Sequence, residues 1–254
     1  MRPSLRLPLI AVALCGVFVA VLLALPAATP AEVTGAPRVP VLLELFTSEG
    51  CSSCPPADRL LEALDRQPAA GADLIVLSEH VDYWNYLGWK DPYSLPLFSH
   101  REQEYARKLG ADVYTPQMVV DGKWQVLGSD RDAVLSAVAR TAQHPKLPMT
   151  ITAFRSGRAV TVHVDADNLG TPASLFIAFA ADTAQTHVAR GENGGRTLTH
   201  VAVAQSIKAS GNWTGQARRD FSIPVGAVSR GLRIVAYLQD PRSGAILGVT
   251  QTKI

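Results

Sequence analysis

Sulfur is scarce in this chain: three cysteines and three methionines in 254 residues. So few cysteines exclude a fold stapled by many disulfides, and a chain of this length buries enough core to need none. Charge of one sign is missing too. The 24 Lys and Arg nearly balance 22 Asp and Glu, for a formal charge of +2, which leaves no electrostatic footprint for nucleic acid. Beyond the N-terminus no apolar run is long enough to cross a bilayer. There is no Gly-rich phosphate loop after a strand, and no Ser-His-Asp set can be assembled. Aromatics are only 7% of the residues, so their clustering between Tyr83 and Tyr93 stands out.

The apolar run that is present lies at the start. Arg2 and Arg6 precede residues 7–25, which are almost entirely apolar, and Ala27, Ala28 and Ala31 follow as small residues. This reads as an export signal over residues 1–31, with an uncleaved anchor as the alternative. Cys15 lies within it and leaves with it. Cleavage would bring the formal charge to zero, since both arginines go and no acid precedes Glu32. The expected location is periplasmic or secreted, with membrane attachment only through an uncleaved signal.

The spacing of apolar residues divides the remainder. Strands are expected at 41–46 and 73–78, and helices at 57–66 and 95–109. A hairpin turns at Asp121-Gly122, between strands 117–120 and 124–127. Ser129-Asp130 caps a helix to about residue 141. This is an α/β domain with a mixed sheet, assigned to 36–144. Pro145 and Pro148 break the pattern. Short strands then recur to the end, among them 161–164, 175–180, 185–189, 197–204, 217–223 and 232–238, which predicts an antiparallel β-sandwich over 149–254.

The chemistry points to Cys51-Ser52-Ser53-Cys54, directly after the first strand. At a strand-to-helix turn the first sulfur lies where helical N–H groups stabilise a thiolate, and the second can resolve a mixed disulfide. An inert bridge and a metal site completed by His80 or His100 are the alternatives.

Residues 41–51 (VLLELFTSEGC) resemble the first active-site strand of thioredoxin-fold proteins, and residues 114–122 (YTPQMVVDG) resemble that fold's cis-proline loop and hairpin. Residues 82–94 (DYWNYLGWKDPYS), 190–193 (RGEN) and 51–58 (CSSCPPAD) are similar to a family of exported bacterial proteins, also found in plants. That family is catalogued only as a domain of unknown function with a thioredoxin-like fold. The resemblance implies a thioredoxin-like domain followed by the sandwich. By analogy it implies thiol–disulfide exchange, with Cys51 attacking and Cys54 resolving.

It also implies that Glu44, a carboxylate in an apolar strand, relays protons for the resolving cysteine; a glutamate facing solvent is the alternative. Pro116, if cis, lies beside the cysteines, and Thr115 offers its backbone to an extended substrate. Trp84 and its aromatic neighbours either line a groove or pack as an insertion. Glu49 adds negative charge near Cys51, and Pro55 and Pro56 delay the regular helix. His163, His187 and His200 are expected at the surface or in packing. No cofactor and no resident metal are implied. The expected partners are exported protein thiols or disulfides and a redox partner protein. The rivals are a binding protein with a structural bridge and a copper-handling protein using both thiolates.

Overall fold

A computed structural model describes residues 38–67, 69, 71–157, 159–167, 170–213, 217–224 and 231–254. The expected export signal lies outside these residues. In chain order come β1 (Val39–Thr47), α1 (Pro55–Arg66), β2 (Ala72–His80), α2 (Pro96–Leu109), β3 (Gln117–Val120), β4 (Trp124–Leu127) and α3 (Arg131–Thr141). Then follow β5 (Met149–Ser156), β6 (Ala159–Ala166), β7 (Ala173–His187), β8 (Thr197–Trp213), β9 (Ala217–Pro224), β10 (Leu232–Gln239) and β11 (Ile246–Lys253). The result is a mixed α/β architecture: an eight-stranded mixed sheet, β11-β10-β7-β8-β2-β1-β3-β4, and a separate antiparallel sheet, β5-β6-β9.

Strand β1 is central, and its alternation decides the layers. Val41, Leu43 and Leu45 face α1, meeting Ala57, Leu60, Leu61 and Leu64 in a core that α3 completes through Val134 and Val138. Leu42 and Phe46 face the other way, toward α2 residues Phe98 and Tyr105 respectively. Fully burying each such leucine stabilises the fold by about 1.5–3 kcal/mol, so truncation of Leu61 strikes hard.

Local chemistry sets the element ends. The Asp130 carboxylate accepts from the Ala133 N–H at 3.0 Å and caps α3, and left-handed Gly110 stops α2. At the β3–β4 turn Asp121 and Gly122 both have positive φ. A Cβ at residue 122 would lie 1.9 Å from the Gly244 carbonyl oxygen, so this close approach admits only glycine.

Within the eight-stranded sheet the second half of the chain meets the first where β8 pairs in parallel with β2, at Ser78 and Val203. Its other sheet packs over β7 and β10, with Val160, Val162 and Val164 against Leu175, Ile177, Leu232 and Ile234. Residues 175–180 and 185–189 were expected as separate strands, but β7 runs unbroken through His187. Pairing of β7 with β10 ends at Ala181, whereas its pairing with β8 continues from Thr183–Val201 to His187–Thr197. Beyond that point β7 and β8 form a two-stranded arm, and Ala202, with φ +48°, marks its departure from the sheet.

Candidate functional site

The disulfide Cys51–Cys54 closes the turn between β1 and α1, with a Cα–Cα distance of 5.4 Å. Helix α1 starts at Pro55, with both prolines in its first turn and Cys54 as N-cap. The prolines do not delay it, because the N–H groups they lack have no intrahelical acceptor there. Cys51 therefore precedes the helix, and Cys54 is the cysteine at its N-terminus. Both cysteines are buried, at 1% and 0% exposure, while Ser52 and Ser53 form the solvent face of the loop.

Two segments cover the loop. The first is the aromatic run. The Trp84 Cβ fills the space a side chain at Gly50 would need, at 3.0 Å, and its indole N–H donates to Thr115 Oγ1 at 2.8 Å. The Thr115–Pro116 bond is cis. A Cβ at residue 128 would sit 3.3 Å from the Cβ atoms of both Ala57 and Pro116, so Gly128 lets the proline close on the first turn of α1. Cys51, Cys54, Trp84, Thr115 and Pro116 thus share one end of the sheet. Tyr86, in the same run, is 79% exposed.

The second cover is the tip of the β7–β8 arm. Asn193 is buried, and its amide donates to the carbonyls of Glu49 and Cys51, both at 2.9 Å. The Ser52 N–H donates to Glu192 Oε2 at 3.2 Å. A cleft of about 210 Å³ opens beside the arm, lined by Pro55, Asp58, Arg59, Glu62 and residues 197–199.

Behind the loop the arm inserts His200, which is 1% exposed. Expected at the surface or in packing, it is packed between two buried acids, Glu49 and Asp58. Its Nε2 is 3.3 Å from Glu49 Oε1, and its Nδ1 is 3.8 Å from Asp58 Oδ1. At these distances, and without aligned geometry, the contacts are ion pairs. Burial disfavours the imidazolium, but Asp58 and Glu49 outweigh it and push His200 up to about 9. Thr47 Oγ1 donates to Asp58 at 2.8 Å, and the Trp89 indole donates to Glu49 Oε2 at 2.8 Å. The His80 ring stands edge-on to His200, with centroids 4.6 Å apart. His80 Nδ1 lies 2.7 Å from Asp91 Oδ2, which also accepts the Glu49 N–H at 2.8 Å. Burial raises the Asp91 carboxyl, but His80 and these N–H donors prevail and hold it below its usual range.

Glu44 is buried but stands apart from this end. It lies on the α2 face of β1, where its carboxylate accepts from Arg101 Nε at 2.7 Å and from the Tyr105 hydroxyl at 2.5 Å. The solvent-facing alternative is not realised, and the carboxylate of the expected proton relay faces Arg101 and Tyr105, because residues 42, 44 and 46 point away from α1. Glu79 and Glu102 crowd the same side. Burial and the Glu44 charge raise Glu79 well above the carboxylate range, and burial lifts Glu102 to about 7. His100 is exposed on α2. Among the described residues no group of three or more His, Cys, Asp or Glu side chains is arranged to hold a metal ion.

Asn193 and Asp58 lie in the motifs that carry the family resemblance and His200 was expected in packing, but none of the three was given a role beside the cysteines; two left a trace of it. Asp58 lies on the buried face of α1 with Cys54 and Leu61, and His200 shares its strand face with the apolar Leu198. A charged residue in an apolar stripe is the signal.

No functionally curated protein matches the chain. It is similar to a structural-genomics protein of Agrobacterium tumefaciens, with 29% identity, TM-score 0.65, and coverage of 85% of this chain and 95% of that one. It is also similar in fold to HBP35 of Porphyromonas gingivalis, with 14% identity, TM-score 0.68, and coverage of 86% and 76%. Residues 42–239, most of the described chain, match one family throughout: this chain belongs to the family described as "Protein of unknown function (DUF1223)".

Proposed function

We propose that the chain is an exported, periplasmic or secreted, thiol–disulfide oxidoreductase whose first half is a thioredoxin-like domain. The observation that carries this reading is the Cys51–Cys54 disulfide at the β1–α1 turn, beside Thr115-Pro116 and backed by the buried His200 between Glu49 and Asp58. The order β1-α1-β2, with the antiparallel β3–β4 hairpin beside β1 and α3 after it, supports the fold assignment.

In the oxidising direction a substrate thiolate attacks Cys51 Sγ. The Cys51–Cys54 bond breaks, and Cys54 leaves as a thiolate that takes up a proton. The second substrate thiolate then attacks the mixed disulfide and releases Cys51, so two electrons pass to the protein and the substrate disulfide forms. Run backward, the same steps reduce a substrate, with Cys51 attacking and Cys54 resolving. Thr115 offers its backbone to the substrate strand, and Trp84 fixes the wall of that groove. Substrates are exported protein thiols or disulfides, and a redox partner resets the pair.

One observation favours a second reading. Both cysteines are buried under Trp84 and the arm tip, as in a structural bridge. Exchange therefore requires a partner that displaces this cover.

The Cys54→Ser variant, mixed with a disulfide-bonded peptide, separates the two. The first reading predicts a mixed disulfide on Cys51 by intact mass, and faster oxidation of a dithiol peptide by the wild type. No adduct together with an unchanged oxidation rate would establish the structural bridge.

A further inference from the structure

His200 is a buried side chain on the second half of the chain. It reaches the disulfide loop on the β7–β8 arm, 146 residues after Cys54 in the sequence. It touches Glu49, two residues before Cys51, and Asp58, four residues after Cys54 on the helix that Cys54 caps. On one helix face, residues four apart have Cβ atoms about 5–6 Å from each other, so Asp58 and Cys54 are neighbours. Asn193, from the same arm, binds the carbonyls of Glu49 and Cys51 and holds the arm in register with the loop.

The charges around His200 come from every element that packs on it. Glu49 approaches from the end of β1 and Asp58 from α1. His80 approaches from β2 with Asp91 behind it, and the Tyr93 ring lies 6.0 Å away. Two carboxylates thus flank the loop that must carry a thiolate when the disulfide is reduced. Alone they would oppose that charge, and His200 is the cation set between them. Glu44 and Arg101 belong to the other face of β1 and contribute no partner here.

We propose that His200 is a positioning residue of the disulfide site: its imidazolium offsets Glu49 and Asp58, and thereby makes the more acidic thiol of the reduced pair easier to ionise. The proposal rests on the oxidoreductase reading for its purpose, but not for its test. Reduction places two electrons on the sulfurs and breaks the S–S bond. At neutral pH one sulfur takes up a proton, while the other holds its negative charge to the extent that His200 stays charged. No further reactant is involved. Coupling of this kind is reciprocal, so a thiolate in the loop must raise the proton affinity of His200 in turn.

The test uses the full chain in both redox states. In the His200→Gln variant, thiolate absorbance against pH is expected to place the first thiol about one pH unit higher than in the reduced wild type. Cys alkylation at pH 7 slows about tenfold in step. Glu44→Gln, across the sheet, moves neither. In the wild type, NMR titration of His200 is expected to give a higher midpoint after reduction than before, a readout that serves even if His200→Gln does not fold. An unchanged thiol titration in a folded His200→Gln variant, or the same His200 midpoint in both redox states, overturns the proposal. A shifted titration in a protein that exchanges no disulfide with peptides would keep the proposal and refute the oxidoreductase reading.

Discussion

Strand β1 separates two buried polar clusters that look alike by composition and differ in what they can do. At the disulfide end, Glu49, Asp58 and Asp91 are matched with His200 and His80, drawn from four separate parts of the chain. On the α2 face, Glu44 and Glu79 gather around Arg101, with Glu102 near Glu79, and the Arg101 guanidinium also lies over the rings of Tyr105, Phe176 and Tyr237. The first cluster lines the loop that carries the disulfide. The second centres on Arg101, Tyr105 and Glu44 on the other face of β1, and burial raises its carboxyls Glu79 and Glu102. Buried charge therefore does not by itself mark a functional site; on the proposed reading, its place beside the disulfide does.

The sharpest way to break the comparison is at Arg101. Arg101→Met leaves Glu44 buried with no cation, and loss of one partner of a buried pair costs about 3–5 kcal/mol. Urea denaturation is expected to show that loss, while the folded fraction keeps the wild-type thiol titration. A changed thiol titration would mean that the two clusters are one.

A somewhat smaller effect is expected from His200. Its folded pKa of about 9 lies above its usual 6.5, so its contribution to stability is full below 6.5 and disappears as pH rises through 9. That contribution is on the order of 3 kcal/mol. Chemical denaturation of the oxidised protein at pH 6 and pH 10 is expected to show the decline, and His200→Gln to flatten it.

Glu102 should give a weaker effect. Its carboxyl is raised from 4.5 to about 7, so the folded state holds the proton more tightly than the unfolded one. Stability is expected to fall as pH rises from 4.5 to 7, and Glu102→Gln to remove that slope. The smallest effect is expected from Glu44→Gln, which should leave the pH–rate profile of disulfide exchange unchanged. A shifted profile would return Glu44 to the mechanism.

Much of the first half was legible because local signals agree there. Apolar spacing marked β1, α1, β2 and α2, Asp121-Gly122 marked the hairpin, and Asp130 marked the cap of α3. Strands β5 and β11 were missed. The turn-rich second half was legible as short strands, but β7 was read as two, 175–180 and 185–189, because its buried run gives way there to a polar alternating one, although residues 183–187 continue to pair with β8 in the arm. Cys51, Cys54, Trp84, Thr115 and Pro116 could be read from motifs along the chain. Glu44 was legible as a buried acid, but the face it takes depends on α2, and its partner Arg101 is 57 residues away. His200 could not be placed, since its role depends on an arm whose path is set by tertiary pairing.

The central claim is that Cys51 and Cys54 form a working dithiol, and their reduction potential tests it most directly. Thiol trapping and mass spectrometry across glutathione buffers would supply it. A value between about −120 and −270 mV is expected, the range of dithiol catalysts. A value below about −300 mV, with slow exchange, would contradict the account and leave the bridge a structural one.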